Sequence, residues 1–584
     1  MDRRRVARMA VLVVVSAAVA AVPARSEPTG AVVQISSIGP PGNVAFDADD
    51  PRVAFGADGR GLAVYLGEPV DGEQEAFGQT VDASGTPVGA QRRLTHVGPD
   101  AASVDEARNP DVVYNPRADE FLLVSSNAIG FDEDIAVQRV GLDGAPIGPS
   151  VQVSEAGGVG PGSDGDNQRP RVAYDPDRDE YLVAWADSRN GGEGEIRAQR
   201  VNATTLAQVG AADFFVSLVG GDNQDANRLD VDYGAGTFFV AWSDVTTDGD
   251  EEIFARRVPS GGGTVGGEVR LSEQGPAGDP EFETSRPAVA YNPLANEFLT
   301  VWDGDRTNPG GSGEHEIFGQ RASAAGAPIG GDIRISQQGT DGDLESDAEE
   351  PAIAANTGNG EYLAVWQANG PSQEVEVYGQ RLTATGAEIG TNDARFSDQG
   401  PAGNPDFYAD TSATAYNPAA HQFLAVWRGT RTLNVGTKDS EDEVFGRPAT
   451  SPFTPGATPT PTPTAGPSAT LPPPPAAKPA AALRARDVIR FPSTRRCVSR
   501  RAFRIRLRRP QGVKLVSARV VLNGKRLRVV KGRRLTSAIV LRGLPKGRFK
   551  VKITVTTSTG TKLTGTRTYH TCVKKRRPKR PPRV

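Results

Sequence analysis

The 584-residue chain contains few residues of the kinds that usually carry catalysis or bind metals. It has two cysteines, Cys497 and Cys572, and four histidines, His96, His315, His421 and His570. No two histidines share a metal-ligand spacing, and there is neither a phosphate-binding loop nor a G-x-S-x-G nucleophile motif. The scarcity of cysteine excludes a thiol-rich zinc or redox protein. It fits an exported chain with one disulfide between Cys497 and Cys572.

Long apolar runs and helical periodicity are also scarce. Only the run at 9–22 approaches the length of a membrane span, and it is too short for one. Arginines precede this run, and Val22–Ala24 resembles an A-x-A cleavage site, so residues 1–24 are predicted to be a signal peptide. An uncleaved anchor is the alternative. We therefore expect a secreted, extracellular protein that associates with the cell wall or envelope.

Tryptophan is rare, and every copy occupies the same place in a repeat. The motif EYLVAWAD at 180–187 recurs with small changes, and its tryptophans are Trp185, Trp242, Trp302, Trp366 and Trp427. Tyr65 and Ser125 take that position in two earlier copies, which gives seven copies with a period of about 60 residues. A large residue that recurs at one strand position fills the space between packed sheets. We therefore predict structural tryptophans, not a row of ligand-stacking rings.

The repeats predict an all-β fold, a seven-bladed β-propeller over residues 31–450. Each copy contains four short strand patterns separated by turn sequences. The seventh copy lacks its last strand, and VVQISSIG at 32–39 supplies one, so an N-terminal strand is expected to close the ring. An open β-solenoid is the rival fold. The repeats resemble those of repetitive bacterial propellers in exported proteins, and that resemblance implies an architecture without a particular activity.

The charge of the chain is divided between two regions. Residues 483–584 contain 33 basic residues and one acidic residue, whereas 33 basic and 70 acidic residues precede them. Residues 451–482 are a Thr/Pro-rich linker, and residues 574–584 are a basic tail that is predicted to be disordered. Between them, alternating apolar residues and an Asn523–Gly524 turn predict a small β-sandwich at 483–573. It resembles Ig-like or fibronectin-like domains of bacterial surface proteins, but it lacks the core tryptophan of antibody domains.

Acidic residues form two groups with different expected roles. One acid precedes the third strand of every copy, where it is expected to accept hydrogen bonds or to pair with an arginine between blades; these are Glu75, Asp134, Glu195, Glu252, Glu316, Glu376 and Glu443. Others cluster in Gly-containing loops, where their oxygens suit a hard cation such as Ca²⁺; these are Asp164, Asp166, Asp248, Asp250, Asp341 and Asp343. Calcium is the single cofactor that the sequence suggests, and none of these loops is an EF-hand.

From these features we expect a non-enzymatic, monomeric binding or display protein. Its acidic loops all leave one face of the propeller, which would bind an extracellular protein or glycan. Its basic domain would bind an anionic envelope polymer or dock onto the acidic propeller, and export argues against a nucleic-acid partner. Two alternatives remain: a secreted carbohydrate-active enzyme with its site at the centre of the acidic face, and a calcium-stabilised structural component of the envelope.

Overall fold

A computed structural model of the chain describes most of one compact unit, residues 1–458, and part of a second, residues 459–584. In the first unit the described residues are 28–39, 46–70, 73–98, 105–129, 132–154, 167–187, 194–217, 226–245, 251–262, 266–274, 283–305, 314–338, 346–369, 374–399, 404, 406–434 and 437–450. In the second they are 488–490, 503–507, 515–523, 525–531, 539–541, 548–557 and 562–570. The predicted signal peptide, linker and tail, both cysteines and the six loop aspartates lie outside these ranges.

Antiparallel four-stranded sheets make up the first unit, each built from consecutive strands. Sheet 1 contains β2 (Ala48–Phe55), β3 (Gly61–Val70), β4 (Glu73–Val81) and β5 (Arg92–Arg93). Sheet 2 contains β6 (Glu106–Asn115), β7 (Glu120–Ile129), β8 (Asp132–Gly141) and β9 (Pro146–Gln152). Sheet 3 contains β10 (Asn167–Asp175), β11 (Glu180–Asp187), β12 (Glu195–Asn202) and β13 (Gln208–Phe215).

The next three sheets repeat this order. Sheet 4 contains β14 (Asn227–Gly234), β15 (Thr237–Val245), β16 (Glu251–Pro259) and β17 (Val269–Arg270). Sheet 5 contains β18 (Thr284–Asn292), β19 (Glu297–Gly304), β20 (Glu316–Ser323) and β21 (Pro328–Arg334). Sheet 6 contains β22 (Ala348–Ala355), β23 (Tyr362–Asn369), β24 (Val375–Leu382) and β25 (Glu388–Arg395).

Sheet 7 joins the two ends of this unit. It contains β26 (Ala409–Asn417), β27 (Gln422–Asn434), β28 (Thr437–Thr450) and β1 (Val33–Gln34). Val33 lies opposite Gly446 and Gln34 lies opposite Phe445, so the N-terminal segment supplies the fourth strand. The first strand of each sheet contacts the first strands of both neighbouring sheets, and β26 contacts β2. The described residues thus form seven sheets in a closed ring, as a β-propeller requires, and the fold class predicted from the sequence is confirmed.

The repeated tryptophans lie between neighbouring sheets. All five are fully buried, and each packs into an apolar cluster that includes the second strand of the preceding sheet. Tyr65 packs in the same way against Leu424 and Val426 of sheet 7. Ser125 is buried too, but it donates a hydrogen bond to Asn127 at 2.8 Å.

The Gln-Arg pair on the third strand also has a structural place. Gln320 donates to the backbone oxygens of Arg321 and Ile329, at 2.9 Å each, and so holds the fourth strand of sheet 5. Arg321 donates to Glu297 at the start of the second strand. Gln380 and Arg381 make the same contacts in sheet 6.

The second unit contains two antiparallel sheets. One consists of β29 (Ile489–Arg490), β30 (Phe503–Leu507) and β33 (Ile539–Leu541). The other has the order β32 (Lys525–Lys531), β31 (Leu515–Leu522), β34 (Arg548–Thr557) and β35 (Lys562–His570). Strand β34 alternates buried and exposed residues, with Phe549, Val551 and Ile553 on its buried face. This unit is all-β, as the sequence predicts.

Candidate functional site

The first strands of all seven sheets line a central channel with a volume of about 710 Å³. Each of these strands is irregular at the same place, where one extra residue shifts its register against the second strand in all seven sheets. Such bulges bend a strand and change the direction of its side chains. Here they point a ring of side chains toward the channel.

One residue of every bulge has a positive φ, between 33° and 54°, although none of the seven is glycine. These residues, called the mouth ring below, are Asp50, Asn109, Arg169, Arg228, Arg286, Glu350 and Thr411. They follow the loops that join one sheet to the next, so they surround the channel opening on the face of the long acidic loops. Left-handed backbone at non-glycine residues costs free energy and often marks a functional site.

Two residues further along each strand lies a second ring, called the waist. Sheets 1 to 4 contribute alternating charges, and sheets 5 to 7 contribute small side chains; the members are Arg52, Asp111, Arg171, Asp230, Ala288, Ala352 and Ala413. One wall of the channel is therefore charged, whereas the opposite wall is small and apolar. The small side chains of these three alanines leave space that forms part of the channel volume.

The carboxylates of the waist also hold neighbouring sheets together. Asp111 accepts the backbone N–H of Val172 at 3.0 Å, and Asp230 accepts that of Val289 at 2.7 Å. Protein atoms surround the carboxyl group of Asp230, and this burial raises its pKa to about 7. Burial also raises the pKa of Asp111, although Arg171 and Arg52 counteract it. Asp111 and Asp230 thus join neighbouring first strands, whose N–H groups on the channel edge would otherwise lack hydrogen-bond partners.

The mouth ring meets a charged network at sheets 5 and 6. Asp303, at the end of β19, lies 3.2 Å from Nδ1 of His315 and 3.2 Å from a guanidinium nitrogen of Arg286. Arg286 also lies 3.4 Å from Glu349 and 3.3 Å from Glu350. We call these five residues the mouth network. Strand alternation explains it, because His315 precedes Glu316 and Asp303 follows Trp302, so both lie on the other face of sheet 5, where Asp303 is fully buried.

The charges within the mouth network shift the pKa values of His315 and Glu350. Burial alone would lower the pKa of His315, but the hydrogen bond and charge of Asp303, with Glu349 and Asp347, raise it to about 9. His315 is therefore protonated at neutral pH. Burial raises the pKa of Glu350, and Arg286 and Arg228 only partly counteract this. The network thus links a proton donor, His315, to a carboxylate with an elevated pKa, Glu350, through Asp303 and Arg286, and Arg286 and Glu350 line the channel.

The acids predicted at the start of each third strand lie elsewhere, on the buried side. Glu316 accepts hydrogen bonds from Ser336 and from Arg334, the latter at 2.5 Å, and Glu376 does so from Ser397 and Arg395. Glu75 and Glu252 have equivalent partners, Asp134 accepts from Ser154, Glu443 accepts from Ser36, and Glu195 is buried beside strand β13. These acids accept hydrogen bonds, which was one of the two expected roles, and the partners named lie in the fourth strand of the same sheet or within two residues after it.

Metal binding remains a prediction for the acidic loops. The six aspartates proposed as Ca²⁺ ligands lie outside the described residues. Within the ranges that the structure describes, no group of three or more His, Cys, Asp or Glu side chains is arranged to hold a metal ion. Those same ranges contain no helix long and apolar enough to cross a bilayer.

Sequence reasoning missed the mouth network, because it looked for residues that recur and these residues do not. The position of His315 is occupied by Glu251 in sheet 4 and by Val375 in sheet 6, and that of Asp303 by Ser243 and Gln367. A signal was nevertheless present. Departures from a repeat that cluster at adjacent strand ends mark the part of a ring that differs from its structural scaffold.

No protein-family model and no curated protein matches the chain. Solved structures do resemble it. A protein of unknown function from Dyadobacter fermentans is 11% identical, with 73% of this chain and 98% of that chain covered and a TM-score of 0.38. A PL25 ulvan lyase is 7% identical, with 71% and 95% covered and a TM-score of 0.47. An endo-arabinanase of family GH43 from Bacillus licheniformis is 14% identical, with 49% and 97% covered and a TM-score of 0.30.

The likeness is low in both identity and TM-score, and the propeller architecture rests on the strand order and sheet contacts of this chain. The matching structures also include an α-L-arabinofuranosidase and a further GH43 glycoside hydrolase. The expectation of a non-enzymatic protein is contradicted by these matches, since the structures in question are glycoside hydrolases and a polysaccharide lyase.

Proposed function

We propose that the chain is a carbohydrate-active enzyme, a hydrolase or lyase, that acts at the loop-side mouth of the propeller channel. The observation that carries this proposal is the mouth network: Arg286 and Glu350 line the channel, and Asp303 joins Arg286 to His315. A volume of about 710 Å³ is within the range of about 300–1,000 Å³ that is typical of ligand pockets.

The chemistry of glycosidic bond cleavage suits this arrangement. One group must donate a proton to the leaving oxygen, and another must activate water or remove a proton from the sugar ring. His315 is charged at neutral pH and can donate, and an ionised Glu350 can accept. The hydrogen bond and charge of Asp303 hold the proton on His315, and the charges of Arg286 and Arg228 favour the ionised form of Glu350 against its burial. Arg286 holds Asp303 and Glu350 in place through its guanidinium group.

The test is activity of the full chain on a panel of neutral and acidic polysaccharides. Reducing-end release detects hydrolysis, and ultraviolet absorbance of an unsaturated product detects elimination. We expect His315→Gln to lower the rate by about 10²–10⁴-fold. The matched control is His96→Gln, because His96 is exposed and lies outside the mouth network. Equal rates for both variants, or no turnover of any polysaccharide by the unaltered chain, would count against the proposal.

A second function is proposed for the basic unit, namely attachment of an exported enzyme to an anionic envelope polymer. Its support is the outer face of the sheet that contains β31, β34 and β35. Arg519, Arg548, Lys550 and Lys552 are exposed there, while the opposite face of β34 is buried. Exposed threonines lie between the cations, and acidic side chains are absent from the described residues of this sheet. Such a face attracts polyanions, and the attraction weakens with salt.

Co-sedimentation with immobilised poly(glycerol phosphate) tests this attachment. Replacing Lys550 and Lys552 by Glu should release the full chain from the polymer at a lower salt concentration. The control carries Arg60→Glu and Arg117→Glu, which change the same charge at exposed positions of the first unit. If the two double variants are released at the same salt concentration, the sheet face is not the polymer site.

A further inference from the structure

Three arginines of the mouth ring lie on successive inner strands. Arg169, Arg228 and Arg286 occupy the same bulge position of β10, β14 and β18, and all three line the channel. Neighbouring inner strands contact one another, so the three guanidinium groups share one side of the opening. Like charges repel each other, and a protein places them together at a cost in free energy.

Only one of these arginines is neutralised by nearby acids. Arg286 pairs with Asp303, Glu349 and Glu350. In the described part of the chain, the side chains of Arg169 and Arg228 form neither a hydrogen bond nor an ion pair. Burial and the charges of Arg286 and Arg169 lower the pKa of Arg228, which Glu350 and Asp303 only partly offset. An incoming anion would relieve this repulsion and satisfy the unused N–H donors.

Space for a ligand lies beside these two arginines. Ala288, Ala352 and Ala413 leave the waist open below the mouth ring on the side of sheets 5 to 7. Above them lies the mouth network with its candidate acid and base. A sugar ring on this apolar floor would thus have Arg169 and Arg228 at one side and Arg286 and Glu350 of the mouth network near it. Apolar contact surfaces with a few convergent polar groups are characteristic of ligand sites.

We propose that Arg169 and Arg228 bind the carboxylate or sulfate group of an acidic saccharide, whose ring lies over Ala288, Ala352 and Ala413. The inference rests on the proposed enzymatic function and adds its substrate class. The guanidinium group is planar and presents paired donors to two oxygens at once, so it suits a carboxylate or a sulfate better than a neutral hydroxyl. A neutral saccharide would leave the charge of Arg228 without a counter-ion.

Isothermal titration calorimetry on the full chain tests the subsite with three probes: a galacturonic acid trisaccharide, a sulfated galactose trisaccharide and a neutral galactose trisaccharide. We expect at least one acidic probe to bind about tenfold or more tightly than the neutral probe. The acidic probe that binds more tightly shows whether the subsite prefers a carboxylate or a sulfate group. Equal binding of all three, or no binding of either acidic probe, overturns the proposal.

Two substitutions examine the charge and the space separately. Arg228→Gln should weaken binding of the acidic probe by about tenfold or more, and Ala352→Leu should do so by filling the floor without changing charge. Arg117→Gln is the control, because Arg117 is exposed and lies at the opposite end of its sheet from the mouth ring. Melting temperatures show whether each variant is folded. Removing a repelled charge should leave that of Arg228→Gln unchanged or higher, so lost binding cannot be attributed to unfolding. Unaltered binding by Arg228→Gln contradicts the assignment.

The same variants separate this inference from the proposed function. Acidic probes that bind in an Arg228-dependent manner without turnover of any polysaccharide would support the subsite and contradict the enzyme. Turnover of a neutral polysaccharide that does not depend on Arg228 would support the enzyme and contradict the subsite. His315→Gln should keep the affinity for the acidic probe while losing turnover.

Discussion

At the scale of single residues, function in this propeller depends on positions where the repeat is broken. Glu316 and Trp302 follow the repeat and are buried structural residues. Their immediate neighbours His315 and Asp303 do not follow it, and strand alternation places them on the other face of sheet 5, where Asp303 pairs with Arg286 of the mouth ring. Residues that recur in every copy of the repeat and residues that differ between copies thus stand next to each other in the sequence. A search for repeated residues therefore identified Glu316 and Trp302 but missed His315 and Asp303.

The elevated pKa of His315 makes a prediction about stability. The group has an ordinary pKa of 6.5 and a pKa of about 9 in the folded protein, so its stabilising contribution is complete below about pH 6.5. It is lost as the pH rises through about 9. Compared with His315→Gln, the unaltered chain should gain on the order of 2 kcal/mol of unfolding free energy at about pH 6, and this pH-dependent gain should vanish near pH 10.

Denaturant titrations across this pH range measure the difference, and NMR of the imidazole protons gives the pKa directly. Asp303→Asn removes the strongest favourable partner of His315, so the pKa should fall in that variant. An imidazole that titrates near its ordinary value in the unaltered chain would contradict the geometry of the mouth network.

At the scale of strands, the sequence predicted the four-strand repeat because period-2 alternation survives in each copy. It did not predict the bulges, although a signal exists. Five of the seven inner strands carry a proline immediately after the mouth-ring residue, as in Arg286–Pro287 and Glu350–Pro351. Proline inside a strand indicates an edge or a bulge. The direction of side chains after a bulge depends on backbone geometry, so the mouth ring and waist could not be assigned from spacing alone.

Some details of the seventh repeat also differed from expectation. The segment 436–443 is acidic like the loops of other copies, but β28 begins at Thr437 and extends the hairpin with β27. Alternation is weak in this segment, so its pattern offers little basis for predicting a strand. Tertiary pairing with a long neighbouring strand decides its conformation.

The bulge in β26 is open to a direct test of backbone strain. Thr411 has a φ of 51°, which is unfavourable for a β-branched residue, whereas asparagine adopts this conformation more readily. Thr411→Asn should therefore raise the unfolding free energy by about 1 kcal/mol. Chemical denaturation measures the change, and Thr414→Asn, three residues along the same strand without positive φ, is the control. A destabilised Thr411→Asn variant would show that the hydroxyl group matters more than the strain.

At the scale of the whole molecule, closure of the ring decides whether the channel exists. The mouth ring takes residues from all seven sheets, and sheets 1 and 7 meet only because the chain returns to complete the circle. The N-terminal segment that supplies the last strand was predictable, since a stray strand pattern at 32–39 matched the one missing from the final repeat. What the sequence could not show is how sheet 7 is secured by Ser36, which donates to the buried Glu443.

Ile35 gives the closing segment its apolar anchor and the last prediction. It is 3% exposed and packs in one cluster with Leu424, Val426 and Val444 of sheet 7. Ile35→Ala should lower the unfolding free energy by about 2–5 kcal/mol, because it leaves a cavity where the two ends of the ring meet. The same substitution at Ile147, which is 36% exposed on β9, should cost less than about 1 kcal/mol. Denaturant midpoints of the two variants decide the matter: equal midpoints would mean that the propeller is stable without its N-terminal strand.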